Sequence, residues 1–491
     1  MRSSIAPMSS EADAALRNAS WVMAQRGLQI VIGVLFALLV PRLMGPQAFG
    51  QYALITSVSL WFGLLSGLGL ISMMTRSVPT FIVRGDLQGL QKLVSSLLAL
   101  RVGLGLGSAA CYLALTMFWL RDIDVAALVF MAGAVFARTV GNICFALFLG
   151  LNQAGRWALG DLLRRSFTLV SVLIGFSLAG LRGACAGWFA ANVLVLIIGV
   201  WMAREHIRWS EMWPDRTFLT PFLRTGAYFA GGNILLAIAH RTGESLVHLT
   251  TGDFAEVGFF AVAYGMFAAG TQALWHGAIS FAPLLMFWNE RGESSTSAAW
   301  VGRLLAWMTV AAVAGIIAIV FIGDLAIAWV LGPEYLPAAR GLLPLGIAFL
   351  ATAVGSVGRL QALVSNRPGL SAAAAGVELA AFWATGLALA GGAGSFGACL
   401  AVLAGSTLNA AYVSWSLRHE LLYSYRPAAS AAALGLLVLP LVWFATSWPL
   451  QVTLFVVALA IYAALLLGTR VVTVAELVSL GRSIRAPRVL D

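Results

Sequence analysis

The feature that most constrains this chain is a succession of apolar stretches, separated by clusters of glycine, proline and arginine. A membrane-spanning helix needs about 20 consecutive apolar residues, because the hydrocarbon core of a bilayer is about 30 Å thick. Fourteen windows of suitable length lie at about 20–40, 51–73, 93–119, 125–149, 162–180, 184–203, 222–248, 256–286, 303–329, 340–363, 369–390, 396–417, 428–446 and 450–469. The sequence therefore predicts an all-α polytopic membrane protein with about 14 transmembrane helices.

The composition excludes a soluble protein. Of the 491 residues, 60% are hydrophobic and 10% are charged, whereas a soluble domain has roughly 25% charged residues. The connections between windows are short, so no large domain outside the membrane is expected, and an enzyme with catalytic side chains on a sizeable outer loop is disfavoured. Residues 1–20 are polar and are followed by an apolar run too long for a signal peptide. We expect this segment to remain attached.

The formal net charge of +10 is carried almost entirely by arginine, since Lys92 is the single lysine. The arginines cluster at alternate ends of the windows, which is the pattern that orients membrane proteins with their positive loops inside. This distribution predicts a multi-pass membrane protein with both termini in the cytoplasm and gives no indication of nucleic-acid binding. The four cysteines lie in apolar windows without metal-site spacing, and no cofactor is expected.

An internal repeat is visible at the turns. Residues 45–52 resemble residues 252–260 at an offset of 207, and residues 151–156 resemble residues 364–369. Six helices per repeat bring both repeats into the membrane in the same direction, which gives a parallel pseudo-repeat with the substrate site between two lobes. The predicted domains are the N-terminal lobe (1–203), a cytoplasmic connection (204–221), the C-terminal lobe (222–417), and two extra helices with a basic cytoplasmic tail (418–491).

Five arginines in or beside the windows are candidate site residues. A charged side chain at mid-membrane costs roughly 2.5–3.5 kcal/mol on insertion scales, so those that remain usually face the bundle interior or a wet cavity. Arg138 lies near the middle of the fourth window, Arg101 about two turns into the third, and Arg241 in the outer half of the seventh. Arg26 and Arg76 lie near the cytoplasmic ends of their windows, where the cavity is expected to open. Each either lines a cavity or serves as an ion pair, a helix-end contact or a topology signal.

The seventh window places His240, Glu244 and His248 at successive four-residue steps, with Asn233 on the same stripe. These groups are candidates for proton coupling, because imidazole titrates near physiological pH and burial raises a carboxyl pKa towards it. The same spacing suits a divalent metal, although no fourth ligand is evident. A simpler interpretation is that Glu244 neutralises Arg241.

Glu378 lies about ten residues into an alanine-rich window. It is predicted either to face the cavity of the second lobe as a proton or cation site, or to pair with Arg359. The sequence does not decide between these alternatives.

Three turns carry a family resemblance: residues 41–52, residues 67–70 leading to Arg76, and residues 330–335. The chain resembles the Wzx-type polysaccharide flippases, in the superfamily that includes multidrug and toxin extrusion transporters. The resemblance implies a two-lobed transporter, not an enzyme, that moves undecaprenyl-diphosphate-linked oligosaccharide from the cytoplasmic to the periplasmic leaflet for O-antigen, capsule or exopolysaccharide synthesis. Membrane lipids and a polysaccharide polymerase or other assembly proteins are the implied partners.

Many relatives carry an Arg-x-Asp pair before the turn between helices seven and eight. Arg241 matches the arginine, whereas Gly243 occupies the acidic position and Glu244 follows it. Arginine matches phosphate bidentately and stays protonated, so a cavity lined by arginine suits a diphosphate, with Asn142 and Asn233 as expected sugar contacts. The alternatives are a cation-coupled multidrug antiporter on the same fold and a membrane glycosyltransferase or ligase.

Overall fold

The computed structural model describes residues 8–67, 70–211, 220, 241–365, 367–418 and 424–473. Nearly all of these residues are helical, and none of them forms a β-strand. Ten of the described helical segments are long and apolar enough to span a membrane. The prediction of an all-α polytopic membrane protein is therefore confirmed.

The helices of the N-terminal half are long and are joined by short turns. They are α1 (Met8–Leu65), α2 (Leu70–Arg84), α3 (Leu87–Trp119), α4 (Val125–Gly150) and α5 (Ala154–Ala203), followed by the 3₁₀ turns Arg204–His206 and Trp209–Glu211.

The helices of the C-terminal half begin at Gly243 within the described residues. They are α6 (Gly243–Thr251), α7 (Phe254–Ile279), α8 (Ala282–Glu290), α9 (Ser294–Val330), α10 (Leu336–Ala339) after the 3₁₀ turn Pro333–Tyr335, α11 (Leu342–Val364), α12 (Pro368–Ser416), α13 (Arg426–Val438) with the 3₁₀ turn Leu439–Phe444, and α14 (Trp448–Gly468).

Four predicted windows are interrupted within the described residues. The window 51–73 breaks between α1 and α2, and the window 222–248 is not helical at Arg241 and Thr242, before α6 begins. The window 256–286 breaks between α7 and α8, and the window 428–446 changes from α-helix to 3₁₀ helix at Leu439. Pro283 and Pro440 lie at the starts of the segments that follow these last two breaks. Proline has no backbone N–H and clashes with the preceding turn, so an α-helix does not continue through it without a break or kink.

Three of the long helices are hairpins rather than straight rods. In α1 the break is at Gly45, which has a φ of 72°. The rings of Phe36 and Tyr52 lie 6.5 Å apart between centroids, whereas 16 residues along a straight helix extend about 24 Å. The second arm therefore folds back on the first.

The arms of α5 are held together by close backbone contact. The chain reverses at Ala179 and Gly180, and Ser171 Oγ on one arm donates to the Gly187 carbonyl on the other at 2.8 Å. A Cβ on Gly183 would collide with the backbone carbonyl of Gly175. Small residues at such contacts let membrane helices approach closely, so Gly183 fixes the spacing of the two arms.

The turn conformations recur along the chain. Gly180 in α5 and Gly394 in α12 have nearly the same backbone angles, with φ/ψ of 58°/−141° and 56°/−137°. Gly45 and Gly252, at equivalent positions of the repeated turn sequences, have φ of 72° and 69°. This left-handed region favours glycine. The recurrence supports the internal repeat predicted from the sequence.

The repeated turns also pack on each other. A Cβ on Gly50 would collide with the carbonyl of Phe254, and a Cβ on Gly258 would collide with the carbonyl of Pro46. We refer to residues 46–50 and 254–258 as the twin turns. Their backbones are in direct contact because neither Gly50 nor Gly258 carries a Cβ.

The number of membrane crossings agrees with the prediction as far as the description extends. The ten candidate spans include the three hairpins α1, α5 and α12, and each hairpin contributes two arms, so the described residues form thirteen crossing arms. The window 222–248 lies largely outside the described residues. The count of fourteen therefore stays a prediction.

The chain forms two compact units. One comprises Met1–His248 and Asp253–Gly258, and the other comprises Leu249–Gly252 and Phe259–Asp491. The first has a core formed by α2, α3, α4 and the second arm of α5, with Leu97, Phe148 and Val195 at its centre. The second has one core around α8, α9 and α11 and another around α9, α13 and α14. The predicted lobe boundaries at 203 and 222 stay predictions.

A short ion pair ties α5 to the start of α4. Arg182 Nε donates to Asp124 Oδ2 at 2.6 Å, and Asp124 Oδ1 accepts the N–H of Ala126 in the first turn of α4. The hydrogen bond from Arg182 holds the pKa of Asp124 below its ordinary value. Asp124 therefore both caps α4 and forms an ion pair with α5.

We predict that Gly183→Ala destabilises the protein, because the new methyl group has to separate the arms of α5. Overpacking of this kind costs about 1–3 kcal/mol, which thermal unfolding in detergent would register as a lower midpoint. Gly103→Ala in α3 is the matched control, since a Cβ there meets no atom within 4 Å, and its effect should stay within about 0.5 kcal/mol. Equal midpoints for the two variants would contradict the proposed contact.

Candidate functional site

A polar cavity of about 250 Å³ lies within the first unit. Its walls come from α1, α4 and α5. The lining residues are Gln25, Gln29, Asn142, Phe145, Ala146, Trp157, Asp161 and Arg164. Five of the eight carry an amide, a carboxylate or a guanidinium, which is an unusual density of polar groups for a protein with 10% charged residues.

Helical spacing explains why these groups meet. Gln25 and Gln29 are one turn apart on the first arm of α1, and Asp161 and Arg164 are one turn apart on the first arm of α5. Residues three or four positions apart lie on the same face of a helix. Each of these two helices therefore turns a polar stripe towards the cavity.

The cavity contains hydrogen-bonding atoms without a protein partner. Gln29 Nε2 donates to Asp161 Oδ2 at 2.5 Å, and Arg165 Nε lies 3.4 Å from the same oxygen. By contrast, the buried Gln25 Oε1 and Arg164 Nε have no hydrogen-bond partner in the described part of the chain. A buried polar group without a partner costs about 1–3 kcal/mol, so a ligand that supplies both a donor and an acceptor would stabilise the site.

Positive charge dominates the surroundings of this cavity. Arg138, half-buried on α4 one turn before Asn142, lies within electrostatic range of Arg164, Arg165, Arg241 and Asp161. This group contains four guanidinium groups and one carboxylate. Its excess of positive charge favours an anionic ligand over a cationic one.

Among the predicted site residues, Asn142 lines the cavity, Arg138 and Arg241 belong to the charged group around it, and Arg101 does neither. Arg101 is buried, with 1% of its surface exposed, and its Nη1 donates to the backbone carbonyl of Ser66 at 3.1 Å. Ser66 follows the end of α1, so the arginine satisfies a helix-end carbonyl. This is the helix-end contact that the sequence left open as an alternative.

Four of the predicted site residues cannot be placed by their side chains. Asn233 and His240 lie outside the described residues. Arg26 and Arg76 belong to α1 and α2, but their side chains also lie outside the described part of the structure. Their assigned roles stay predictions.

The predicted polar stripe of the seventh window is interrupted. The helix α6 begins at Gly243, and Arg241 and Thr242 are not helical. Among the described residues, Glu244 and His248 are the members of the predicted stripe that share this helix. Arg241 is exposed, and its backbone carbonyl accepts a hydrogen bond from Trp61 Nε1 at 2.7 Å. This contact anchors the turn before α6 to α1.

Glu244 and His248 remain on one helix but in different surroundings. Glu244 is buried, and its Oε2 has no hydrogen-bond partner within the described residues. No ion pair joins it to Arg241 among those residues. The His248 ring stacks on Phe254 at 4.7 Å and meets Trp119 edge-on at 5.7 Å. The described residues contain no group of three or more potential metal ligands.

Glu378 has a specific partner in the second unit. Its Oε2 accepts a hydrogen bond from Asn409 Nδ2 at 2.8 Å, between the two arms of α12. Arg359 is nearby but donates to Ser356 Oγ at 3.2 Å and lies over the Trp275 ring. Of the two predicted alternatives, the direct pair with Arg359 is therefore not formed.

Sequence reasoning missed Gln25, Gln29 and Arg164 as cavity residues. The sequence analysis did not distinguish Arg164 from the other arginines that cluster at the ends of the windows, and the two glutamines are uncharged. A signal was nevertheless present, because Gln25 and Gln29 lie one helical turn apart in a window whose other residues, apart from Ser20 and Arg26, are apolar or glycine.

Solved structures show a closely similar fold. The structure of the lipid II flippase MurJ in an inward closed conformation matches with a TM-score of 0.68 and 12% identity, over 93% of this chain and all of that chain. An inward-facing multidrug resistance MATE family transporter of the MOP superfamily matches with a TM-score of 0.66 and 15% identity, over 83% of this chain and 98% of that one. At these identities the likeness concerns the fold.

A third structure of the same fold is a MOP superfamily transporter from Pyrococcus furiosus, described as having a binding pocket of reverse polarity. It matches with a TM-score of 0.52 and 15% identity, over 83% of this chain and 95% of that one. No curated protein sequence matches the chain.

The sequence profile of the family described as polysaccharide biosynthesis protein matches residues 15–280. This range includes more than half of the 491 residues and all of the cavity described above. It agrees with the flippase family indicated by the turn sequences. The chain belongs to the polysaccharide biosynthesis protein family and has the fold of MurJ and of the MATE transporters.

Proposed function

We propose that this protein moves undecaprenyl-diphosphate-linked oligosaccharide from the cytoplasmic to the periplasmic leaflet of the bacterial inner membrane, by alternating access, for surface polysaccharide synthesis. The observation that carries the proposal is the excess of guanidinium groups around the polar cavity of the first unit. The family supports a role in polysaccharide biosynthesis. The protein acts as a transporter and not as an enzyme.

The chemistry of the cavity fits both parts of this substrate. Guanidinium groups bind phosphate oxygens through two parallel N–H donors and remain charged. The amides of Gln25, Gln29 and Asn142 offer both donors and acceptors, as sugar hydroxyl groups require. The diphosphate is expected near Arg138 and Arg164, with the adjoining sugar against the amides.

Two energy sources are compatible with this mechanism. An inside-negative potential favours outward movement of an anion by roughly 2.3 kcal/mol per charge per 100 mV. Glu244, buried with an oxygen that lacks a partner among the described residues, and Glu378, held by Asn409, are the candidates for coupling to a proton or cation.

The decisive experiment measures lipid-linked oligosaccharide in a strain that lacks this protein. We expect the oligosaccharide to accumulate and to be inaccessible to a membrane-impermeant sugar-modifying enzyme added outside, with reversal by the wild-type protein. An unchanged lipid-linked pool together with sensitivity to cationic toxic compounds would instead support the multidrug antiporter.

We predict that Arg138→Gln and Arg164→Gln each reduce transport roughly tenfold or more, because loss of a hydrogen bond to a charged group costs about 1.5–3 kcal/mol. The measurement is the rate at which lipid-linked oligosaccharide becomes accessible outside, in the complemented deletion strain. Arg84→Gln, at an exposed residue outside the cavity, is the control and should transport normally. Full activity of both cavity variants at normal expression would refute the role of the arginines.

We also predict that Gly50→Val and Gly258→Val abolish transport. The added side chains collide with backbone carbonyls and force the twin turns apart, and we expect transport to depend on the close packing of these turns. Gly63→Val in α1 and Gly265→Val in α7 are matched controls, since a Cβ at either position meets no atom within 4 Å. The same assay compares the transport rates of the two twin-turn variants with those of the two controls. A similar loss of transport in all four variants would rule out a specific role for the twin turns.

A further inference from the structure

A second, larger groove lies in the second unit, apart from the transport cavity. It has a volume of about 770 Å³ and opens at the common end of three helices, where α9 begins, α13 begins and α14 ends. None of its lining residues belongs to the cavity of the first unit. All three helices are candidate membrane spans, so we expect their common end to lie near the lipid headgroups.

The polar lining of the groove is cationic. Each of the three helices supplies one arginine: Arg303 in α9, Arg426 at the start of α13 and Arg470 just after α14. Hydroxyl groups surround them, on Ser294, Ser295, Ser424, Ser430 and Thr469. No aspartate or glutamate lines the groove, and no carboxylate of the described residues forms an ion pair with Arg426 or Arg470.

The helix ends add to this positive character. The helices α9 and α13 both begin at the groove, and the first N–H groups of a helix have no intrahelical acceptor. One of them, the N–H of Arg426, donates to Ser424 Oγ at 3.2 Å. The arginines, the hydroxyl groups and the helix N-termini together match the oxygens of a phosphate group.

The same helices are apolar beyond the groove. Tyr462 Oη donates to the Ala431 carbonyl at 3.1 Å in the buried contact between α13 and α14, and a Cβ on Gly435 would collide with Val313 of α9. The three helices are therefore tightly packed beyond the groove. Large apolar side chains on their outer surfaces are exposed, among them Leu436, Leu437, Val456, Ile461 and Leu467.

We infer that this groove binds the headgroup of an anionic phospholipid. The phosphate lies among Arg303, Arg426 and Arg470, and the acyl chains follow the exposed apolar surface of α13 and α14. Basic pockets between membrane helices bind anionic headgroups in this way. A free phosphate ion would make no use of the apolar surface, so the lipid accounts for both parts of the site.

The test uses the purified full-length protein in detergent and native mass spectrometry. Phosphatidylglycerol is compared with phosphatidylcholine of the same acyl chains, since both carry a phosphate but only the former is anionic. We expect preferential binding of phosphatidylglycerol. Arg426→Gln or Arg470→Gln should weaken this binding about fivefold, and the double variant about 25-fold, because each arginine near an anionic lipid contributes about 1 kcal/mol of binding free energy. Ser430→Asp places a carboxylate in the groove without removing an arginine. It should weaken phosphatidylglycerol binding by about as much as a single arginine substitution.

The control is the double variant Arg84→Gln and Arg204→Gln, which removes the same charge from exposed positions outside the groove. Unfolding temperatures without added lipid verify that all variants are folded. Equal binding of the two lipids, or unchanged phosphatidylglycerol binding in both the arginine double variant and Ser430→Asp, would overturn the inference. The inference would also fail if the arginine double variant and Ser430→Asp lost binding of undecaprenyl diphosphate but still bound phosphatidylglycerol. In that case the groove would hold the carrier lipid.

Discussion

Close backbone contact at glycine is the interaction on which this structure depends. In lipid, helices gain little from burying apolar surface against one another, so their association relies on close packing and on hydrogen bonds. Gly183 permits it between the arms of α5, and Gly50 and Gly258 permit it between the twin turns. The positive φ values of Gly45, Gly180, Gly252 and Gly394 reverse or bend the chain so that these surfaces meet. The geometry of the cavity follows from that packing.

The polar groups are distributed unequally between the two units. The first unit gathers Arg138, Arg164 and Arg165 around the single carboxylate of Asp161, an arrangement that leaves positive charge for a ligand to neutralise. In the second unit Glu378 and Asn409 form a hydrogen bond between the arms of α12. The two units therefore differ in the charge of their polar groups, with an excess of guanidinium groups in the first and a carboxylate hydrogen-bonded to an amide in the second.

Much of the fold, but less of the site, was accessible from the sequence. Apolar windows predicted thirteen arms that the structure describes, because hydrophobic length alone decides whether a segment spans a membrane. Arg101 shows the limit of such reasoning: the sequence left a cavity role and a helix-end contact open, and the structure shows a hydrogen bond to the Ser66 carbonyl at the end of α1. Of the predicted stripe of His240, Glu244 and His248, the structure describes Glu244 and His248, on α6, which begins at Gly243, and the role of the stripe stays a prediction.

The sequence by itself determined the membrane environment, the helical class, the repeat and the family, because each depends on hydrophobic length, charge distribution or local turn sequence. Only the tertiary structure decided which polar side chains share a cavity. Arg164 lines the cavity although the sequence does not distinguish it from the other arginines at the ends of the windows, while Gln25 and Gln29 are uncharged and gave no electrostatic signal. The direction of a side chain depends on how its helix is rotated against its neighbours, and that rotation is set by contacts between residues distant in the chain.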